Sequence, residues 1–164
     1  MAMNPRIEIL GSFNQLAPNE ELIICHDPEA RGPFDHDSIV RIHQLDQSLL
    51  LQLESKDKFV VLPTDFTYAP ETDVLFFRSD DQWGTIDLKT KRLVGHHSAP
   101  WIPIIWRYGD VMIIEDDLTA WSCDLKGNLI DKVPIDPPTD AIKFADRIEY
   151  SSPVYGNRTL RLRR

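Results

Sequence analysis

The sequence has few glycines, few cysteines and no long apolar run. Seven glycines in 164 residues leave little material for a loop that cradles phosphate groups. The motifs GxGxxG, GxxxxGKS/T, CxxC and HExxH do not occur. No segment approaches the roughly 20 apolar residues of a membrane span, and the N-terminal stretch lacks the apolar core of a signal peptide. We therefore expect a cytoplasmic protein with no cofactor, no metal ion and no catalytic residue.

The two cysteines, Cys25 and Cys123, each lie within an apolar run that has the pattern of a strand. Thiols in the cytoplasm are kept reduced, and free cysteine is among the most frequently buried residue types. We expect two buried thiols rather than a disulfide.

The chain also has a deficit of positive charge. It contains 18 lysines and arginines against 26 aspartates and glutamates, which gives a formal net charge of −8 at pH 7. A field of this sign repels nucleic acid and anionic membranes over the whole surface. We therefore expect a basic protein partner, no nucleic acid and no membrane.

What the chain does contain is a series of short apolar runs. Stretches with aspartate, proline, serine and glycine separate these runs, a pattern that is typical of strands joined by turns. The clearest runs are residues 22–25, 38–42, 48–53, 59–62, 73–77, 103–106 and 110–114. We expect an all-β fold. The predicted core residues are Val74, Phe76, Ile104, Val111, Ile113 and Leu125.

The strongest signal is an internal repeat. Residues 73–89 and 110–126 align without a gap at an offset of 37, with six identical positions. Residues 38–56 fit the same frame at an offset of 35, which places Asp46 on Asp81. A fourth and weaker copy begins at Asp146. The chain therefore reads as about four copies of one β-unit.

Each copy combines apolar strands with a polar turn and a second, tighter turn. Antiparallel strands that recur at this spacing resemble the blades of a β-propeller. The resemblance implies a single domain over residues 1–164, with a small propeller-like array of about four antiparallel sheets and with repeats near 21–57, 58–96, 97–134 and 135–164. The last copy lacks an outer strand, so we expect residues 6–10 to complete the last sheet. A β-sandwich is the alternative, because short strands at regular spacing suit it as well.

A loop from His26 to Asp37 gathers two histidines and four carboxylates. Imidazole and carboxylate groups can ligate zinc or iron, so a metal-dependent enzyme or small hydrolase using this loop is the alternative function. Proline and glycine interrupt the loop, whereas rigid metal sites hold their ligands on regular structure. We therefore favour a solvated loop.

The polar turns of the repeat are acidic. Asp80 and Asp81 lie in one turn, and residues 115–117 lie in the corresponding turn of the next copy. Equivalent turns of a propeller emerge at the same end, so we expect an acidic rim. Tryptophans follow both turns, and aromatic side chains beside charges commonly anchor interfaces. The predicted partner-binding residues are Asp46, Asp80, Asp81, Trp83, Glu115, Asp116, Asp117 and Trp121.

The sequence thus favours a non-enzymatic binding module. In charge, size and lack of catalytic motifs it resembles bacterial immunity proteins, which neutralise cationic toxins such as nucleases by covering the active site. This resemblance implies an inhibitor that occludes a basic toxin. Opposite charges accelerate the association of such a pair.

Overall fold

A computed structural model describes residues 4–11, 16–44 and 47–163. These residues form fifteen strands and one short 3-10 helix, Pro63–Asp65. The strands make four separate sheets, which confirms the predicted all-β array. Within the described ranges, no helix is long and apolar enough to cross a membrane.

Four strands form the first sheet: β1 (Arg6–Leu10), β2 (Glu21–His26), β3 (His36–Gln44) and β4 (Gln47–Ser55). They lie in the order β1-β3-β4-β2. Both β1 and β4 run antiparallel to β3, whereas β2 runs parallel to β4. The first sheet is therefore mixed, although we expected antiparallel pairing alone.

The other three sheets are antiparallel meanders whose strands follow chain order. The second sheet comprises β5 (Phe66–Ala69), β6 (Val74–Arg78), β7 (Gln82–Asp87) and β8 (Arg92–Ser98). The third comprises β9 (Ile104–Tyr108), β10 (Val111–Glu115), β11 (Thr119–Asp124) and β12 (Leu129–Pro134). The fourth comprises β13 (Asp140–Lys143), β14 (Arg147–Ser152) and β15 (Gly156–Arg161).

Three apolar layers hold neighbouring sheets together. Strand β6 directs Leu75 and Phe77 toward the first sheet, and Val74 and Phe76 toward the third. Both faces of the central sheets are covered, so their middle strands are nearly continuous apolar runs rather than alternating ones. A further layer joins the third sheet to the fourth. The sheets thus stack in chain order, as the blades of a propeller do.

The outer faces of the two end sheets carry charged and polar side chains. In the fourth sheet, Arg147, Glu149 and Thr159 lie on the face away from the apolar layer. In the first sheet, Arg41 lies on the outer face and its Nε is 2.8 Å from Glu20 Oε1. Among the described residues, no apolar cluster joins the fourth sheet to the first. Within the described ranges the array is therefore an open stack of four sheets.

Details of the turns support the repeat between the second and third sheets. The Asp87 carboxylate accepts a hydrogen bond from the Lys89 backbone N–H at 2.9 Å, and Asp124 accepts one from Lys126 at the same distance. Each sheet also has a β-bulge just before this aspartate. The identical residues recur because they close the same turn.

The first copy does not follow this frame. Strand β3 ends at Gln44, whose side chain donates to Asp73 at one end of the second sheet. At the other end, the Glu54 carbonyl accepts from Gln82 Nε2 at 3.0 Å. The β3–β4 hairpin therefore runs in the opposite direction to β6–β7, and the alignment of residues 38–56 with the later copies is wrong.

Residues 6–10 do not complete the last sheet. They form β1, which pairs with β3 from Arg6 opposite His43 to Leu10 opposite Ile39. Ile7 packs against the layer between the first and second sheets, so this strand buries an apolar face where it lies. The prediction for this segment is wrong, and the described part of the fourth sheet has three strands.

The predicted core is largely correct. Val74, Phe76, Val111 and Ile113 are buried, and Leu125 is partly buried against the layer between the second and third sheets. The prediction that Ile104 lies in the core is wrong, because this residue begins the edge strand β9 and is 59% exposed.

Both cysteines are buried free thiols, as predicted. Cys25 lies in the layer between the first and second sheets, and Cys123 lies in the next layer. Burial raises the pKa of each thiol to about 12, so neither is a reactive thiolate at neutral pH.

Gly84 offers a test of the packing between the first and second sheets. A Cβ at this position would lie 2.5 Å from Phe77 Cζ and 2.8 Å from the Gly95 carbonyl oxygen. We expect Gly84→Ala to lower the free energy of unfolding by about 1–3 kcal/mol through overpacking. A Cβ at Gly11 would meet no atom of the described residues within 4 Å, so Gly11→Ala is the matched control. Urea titrations measure both variants, and equal losses would contradict the packing described for Gly84.

Candidate functional site

The acidic turns of the second and third sheets lie at the same end of the stack. Arg78, at the end of β6, donates to the Pro103 carbonyl at 2.6 Å. Pro103 directly precedes β9, whose first residue pairs with Glu115 at the end of β10. Carboxylates of neighbouring segments lie at the same end. We call this region the acidic end; it comprises Asp27, Glu54, Asp57, Asp80, Asp81, Glu115, Asp116 and Asp117.

Asp80 and Asp81 form a crowded pair of carboxyl groups. Burial, the neighbouring Asp80 and Asp27 together raise the pKa of Asp81 to about 6. Burial also raises the pKa of Asp80, and Asp57 adds to the effect. Asp80 Oδ1 is buried and has no hydrogen-bond partner within the described ranges. The ionised form is therefore disfavoured at this turn, and a nearby cation would stabilise it.

Asp116 organises the corresponding turn of the third sheet. The residue is only 6% exposed. Its Oδ1 accepts from the backbone N–H groups of Leu118 at 2.8 Å and Thr119 at 2.6 Å. Its Oδ2 is buried and makes no hydrogen bond with any described residue. Burial raises the pKa of Asp116, while the two backbone hydrogen bonds and the charge of Lys132 oppose the increase.

Glu115 links the third sheet to the fourth. Its Oε2 accepts from Trp106 Nε1 at 3.2 Å, and its Oε1 accepts from the Tyr150 hydroxyl in a short hydrogen bond. Burial and this hydrogen bond raise the pKa of Tyr150, so the phenol stays protonated and remains a donor. Both oxygens of Glu115 are thus engaged inside the protein.

A cavity of about 270 Å³ opens beside these carboxylates. Glu115, Asp116 and Asp117 are among the residues that line it. The volume lies below the roughly 300–1,000 Å³ that is usual for small-molecule sites, and it suits a single side chain. The other lining residues are mostly apolar: Ile102, Ile104, Ile135, Pro137, Thr139, Ala141 and Tyr150.

Trp83 and Trp121 are not surface anchors. They are 0% and 1% exposed, and their rings meet edge to face at 5.8 Å in the layer between the second and third sheets. Both sheets are covered on both faces, so either face of their strands buries its side chains. The assignment of these two residues to a partner-binding surface is therefore wrong.

An exposed tryptophan that the sequence analysis missed lies next to the cavity wall. Trp101 is 55% exposed and directly precedes Ile102. The flanking prolines, Pro100 and Pro103, indicate that this segment lies outside a strand, where a large side chain can be exposed. Eight of the fifteen exposed large apolar residues in the described ranges lie at the acidic end: Val60, Leu62, Trp101, Ile102, Ile104, Leu118, Val154 and Tyr155.

Asp46 lies outside the described residues. The residues that flank this gap, Gln44 and Gln47, line a small cavity with Leu88 and Lys91. Gln44 and Gln47 lie at the end of the stack opposite Asp81, and the assignment of Asp46 to a partner-binding surface stays a prediction.

The loop from His26 to Asp37 borders the acidic end. The His26 ring stacks on Phe34 at 4.7 Å, and its Nδ1 is 3.6 Å from Glu54 Oε2. No three histidine, cysteine, aspartate or glutamate side chains in the described part of the chain are grouped so that they could hold a metal ion. The loop instead adds the charge of Asp27 beside Asp81.

Comparison with known proteins does not assign a family. No family model matches the chain, and no curated protein matches it. Among solved structures, the chain is similar to the crystal structure of BamB from Moraxella catarrhalis, with 11% sequence identity over 89% of the chain and a TM-score of 0.24. The matched region spans 60% of the BamB chain.

The raised pKa of Asp81 predicts a pH-dependent stability. A carboxyl group that binds its proton more tightly when folded stabilises the fold at low pH, and this contribution disappears as the pH rises from the unfolded-state pKa toward 6. Asp81→Asn should therefore be more stable relative to wild type at about pH 7.5 than at about pH 4.5. Urea titrations at both pH values measure this difference. Asp110→Asn, an exposed position at the opposite end, is the control, and equal pH dependence in both variants would refute the expectation.

Proposed function

We propose that this chain is a non-enzymatic binding protein whose acidic end covers a basic protein, in the manner of an immunity protein that occludes a cationic nuclease toxin. Such an inhibitor would act in the cytoplasm, where the thiols of Cys25 and Cys123 stay reduced. Its partner would be the toxin domain, and neither nucleic acid nor a membrane would bind the same negative surface.

The observation that carries this proposal is the mixture of carboxylates and exposed apolar side chains at one end of the stack. Interfaces combine an apolar centre with polar and charged surroundings. Here Trp101, Ile102 and Ile104 are each more than half exposed, and the two isoleucines line one cavity together with Asp116 and Asp117. A surface of this composition fits a partner that presents lysine or arginine beside apolar residues.

Opposite charges increase the association rate of such a pair. Unsatisfied carboxylates at two adjacent turns create a negative potential that attracts a cationic surface before contact is made. The raised pKa values of Asp80, Asp81 and Asp116 show that burial disfavours their ionised forms. A bound cation would relieve this cost, so the free energy of association would include the stabilisation of these carboxylates.

Four neutralising substitutions test the role of the acidic end. The probe is a fluorescently labelled peptide rich in lysine and leucine, and stopped-flow fluorescence measures its association rate. We expect a decrease of about tenfold or more at low ionic strength, which shrinks as salt reduces the Debye length to about 10 Å or less. The substitutions are Asp80→Asn, Asp81→Asn, Asp116→Asn and Asp117→Asn, which keep the side chains nearly isosteric.

A matched control removes four charges from the opposite end. This variant has the same net charge, so a rate equal to that of the acidic-end variant would show that only total charge matters and would overturn the proposal. The control substitutions are Glu71→Gln, Asp87→Asn, Asp110→Asn and Asp124→Asn. The toxin class itself is tested by adding the chain to purified basic nuclease domains and measuring DNA cleavage; inhibition should be lost in the acidic-end variant alone.

A further inference from the structure

We propose that the free edge of β13 in the fourth sheet binds one extended strand of the partner, and that one apolar side chain of this strand enters the cavity between the third and fourth sheets. The strand would belong to the basic protein that the acidic end attracts, so this site rests on the proposed function. The binding mode is β-strand addition, in which backbone hydrogen bonds provide affinity and a side-chain pocket provides specificity.

The register of β13 leaves alternate backbone groups without a partner. The Phe144 N–H donates to the Arg147 carbonyl at 2.9 Å, so the even-numbered residues of β13 exchange hydrogen bonds with β14. The N–H and C=O groups of Ala141 and Lys143 therefore point away from β14. No described residue bonds to these four groups, and all four residues of the strand are exposed. This edge is open to a further strand.

The opposite edge of the same sheet, formed by β15, is already covered. There the Arg161 N–H donates to Asp131 Oδ2 at 2.9 Å, and the Arg161 carbonyl accepts from the Ser122 hydroxyl at 2.6 Å. The Asn157 carbonyl accepts from the Arg158 side chain at 3.2 Å. Side chains thus occupy much of the β15 edge, and we assign the added strand to β13.

The cavity lies beside the free edge. Thr139 and Ala141 line it from the fourth sheet, and Ile102 and Ile104 line it from the third. A partner residue opposite Ala141 would share its face of the sheet, because directly opposed residues of two strands point to the same side. Its side chain would therefore extend toward the two isoleucines. The volume of about 270 Å³ is sufficient for one branched side chain such as leucine.

The polar groups of the cavity favour an apolar occupant over a charged one. Glu115 has no free acceptor, because Trp106 and Tyr150 occupy both of its oxygens. Asp116 Oδ2 is buried within the protein and does not face the cavity. A leucine at this position would instead cover the exposed side chain of Ile104 and remove its apolar surface from water.

The other face of β13 defines the neighbouring residues of the partner strand. Ile142 is 60% exposed, and Asp140 lies on the same face of the strand. An antiparallel partner, the more stable arrangement, would place an apolar residue beside Ile142 and a lysine beside Asp140. The Lys143 ammonium lies 3.9 Å from the ring centroid of Trp106 and leaves the backbone edge free. The partner strand therefore has the order apolar, leucine, basic.

The probe is the peptide acetyl-Thr-Ile-Leu-Lys-Thr-amide, which carries this order of side chains. It is titrated into isotope-labelled protein, and both NMR chemical shifts and amide hydrogen exchange are measured. We expect saturable shifts in segments 102–104 and 139–143. The amides of Ala141 and Lys143 should exchange more slowly in the complex, because they donate to no described residue in the free protein.

Two N-methylated peptides test the backbone hydrogen bonds with the wild-type protein. Methylation of the leucine nitrogen removes the donor that would face the Ala141 carbonyl, so it should weaken binding about tenfold or more. Methylation of the isoleucine nitrogen alters an N–H that points away from β13. This second peptide is the matched control and should bind as the parent peptide does. An equal loss in both peptides, or a loss in neither, would overturn the proposal.

Protein variants locate the strand. Ala141→Pro removes a donor of the free edge without removing a hydrogen bond to β14, and proline is tolerated at such edge positions. It should weaken binding about tenfold. Thr159→Pro makes the same change at an outward-facing N–H of β15 and should bind the peptide as wild type does. The N-methylated peptides use the wild-type protein, so their result does not depend on whether Ala141→Pro folds.

A double comparison tests the cavity. Ile104→Ala changes an exposed residue of the cavity lining, and it should weaken the leucine peptide several-fold through the loss of apolar contact. A peptide with alanine in place of leucine should bind wild type and Ile104→Ala equally, because its side chain is too short to reach the isoleucine. Equal weakening of both peptides by Ile104→Ala would place the leucine outside the cavity and refute the proposal.

The outcomes separate this edge site from the proposed function. If the amides of Ala141 and Lys143 gain no protection from the peptide, the edge site is refuted. The proposed function still stands in that case when the peptide rich in lysine and leucine shows its dependence on the acidic-end charges. If that dependence is missing, the proposed function fails whatever the strand peptide does.

Discussion

The two central sheets of this protein carry apolar side chains on both faces, and this constraint determines the rest of the architecture. An apolar face must be covered, so the second and third sheets each require a sheet on both sides. The chain meets this need by adding sheets in order until it reaches end sheets whose outer faces carry ion pairs, Arg41 with Glu20 on the first and Arg147 with Glu149 on the fourth. The faces of the inner sheets are then unavailable to a partner. Polar groups accumulate where the strands end, which is where the acidic turns of this chain lie.

The fold could be predicted where equivalent residues of two copies make the same local contact. Asp87 and Asp124 could be matched because each closes a turn with its own side chain. The first copy was misread because an antiparallel hairpin with alternating apolar residues shows the same pattern in either direction. The alignment of the first copy with the later ones depended on polar residues such as Asp46. The position of such residues in the sequence does not indicate at which end of a sheet a turn lies. The position of β1 could not be predicted for a similar reason, because the apolar pattern of a strand does not indicate which strand pairs with it.

The candidate site was predictable in part. Acidic turns are visible in the sequence because aspartate is common in turns and the repeat places two of them in register. The tryptophans were misassigned because a strand that is buried on both faces has no polar alternation from which to tell its exposed side. The cavity beside Asp116 could not be foreseen, since it depends on the distance between two sheets and on Glu115 joining Trp106 to Tyr150 across them.

The open stack has a consequence for the energetics of local unfolding. Among the described residues, the apolar layers join only sheets that are neighbours along the chain. The fourth sheet is held by a single apolar layer and by polar contacts to the third sheet, which include the hydrogen bonds from Tyr150 to Glu115 and from Ser122 to the Arg161 carbonyl and the ion pair of Arg161 with Asp131. In such a one-dimensional array, an end unit can open while the other units remain folded. Amide hydrogen exchange in β14 and β15 would then report a sub-global opening reaction rather than complete unfolding. Because this opening removes one wall of the cavity, any occupant of the cavity would be thermodynamically linked to it and would increase the protection of the fourth sheet.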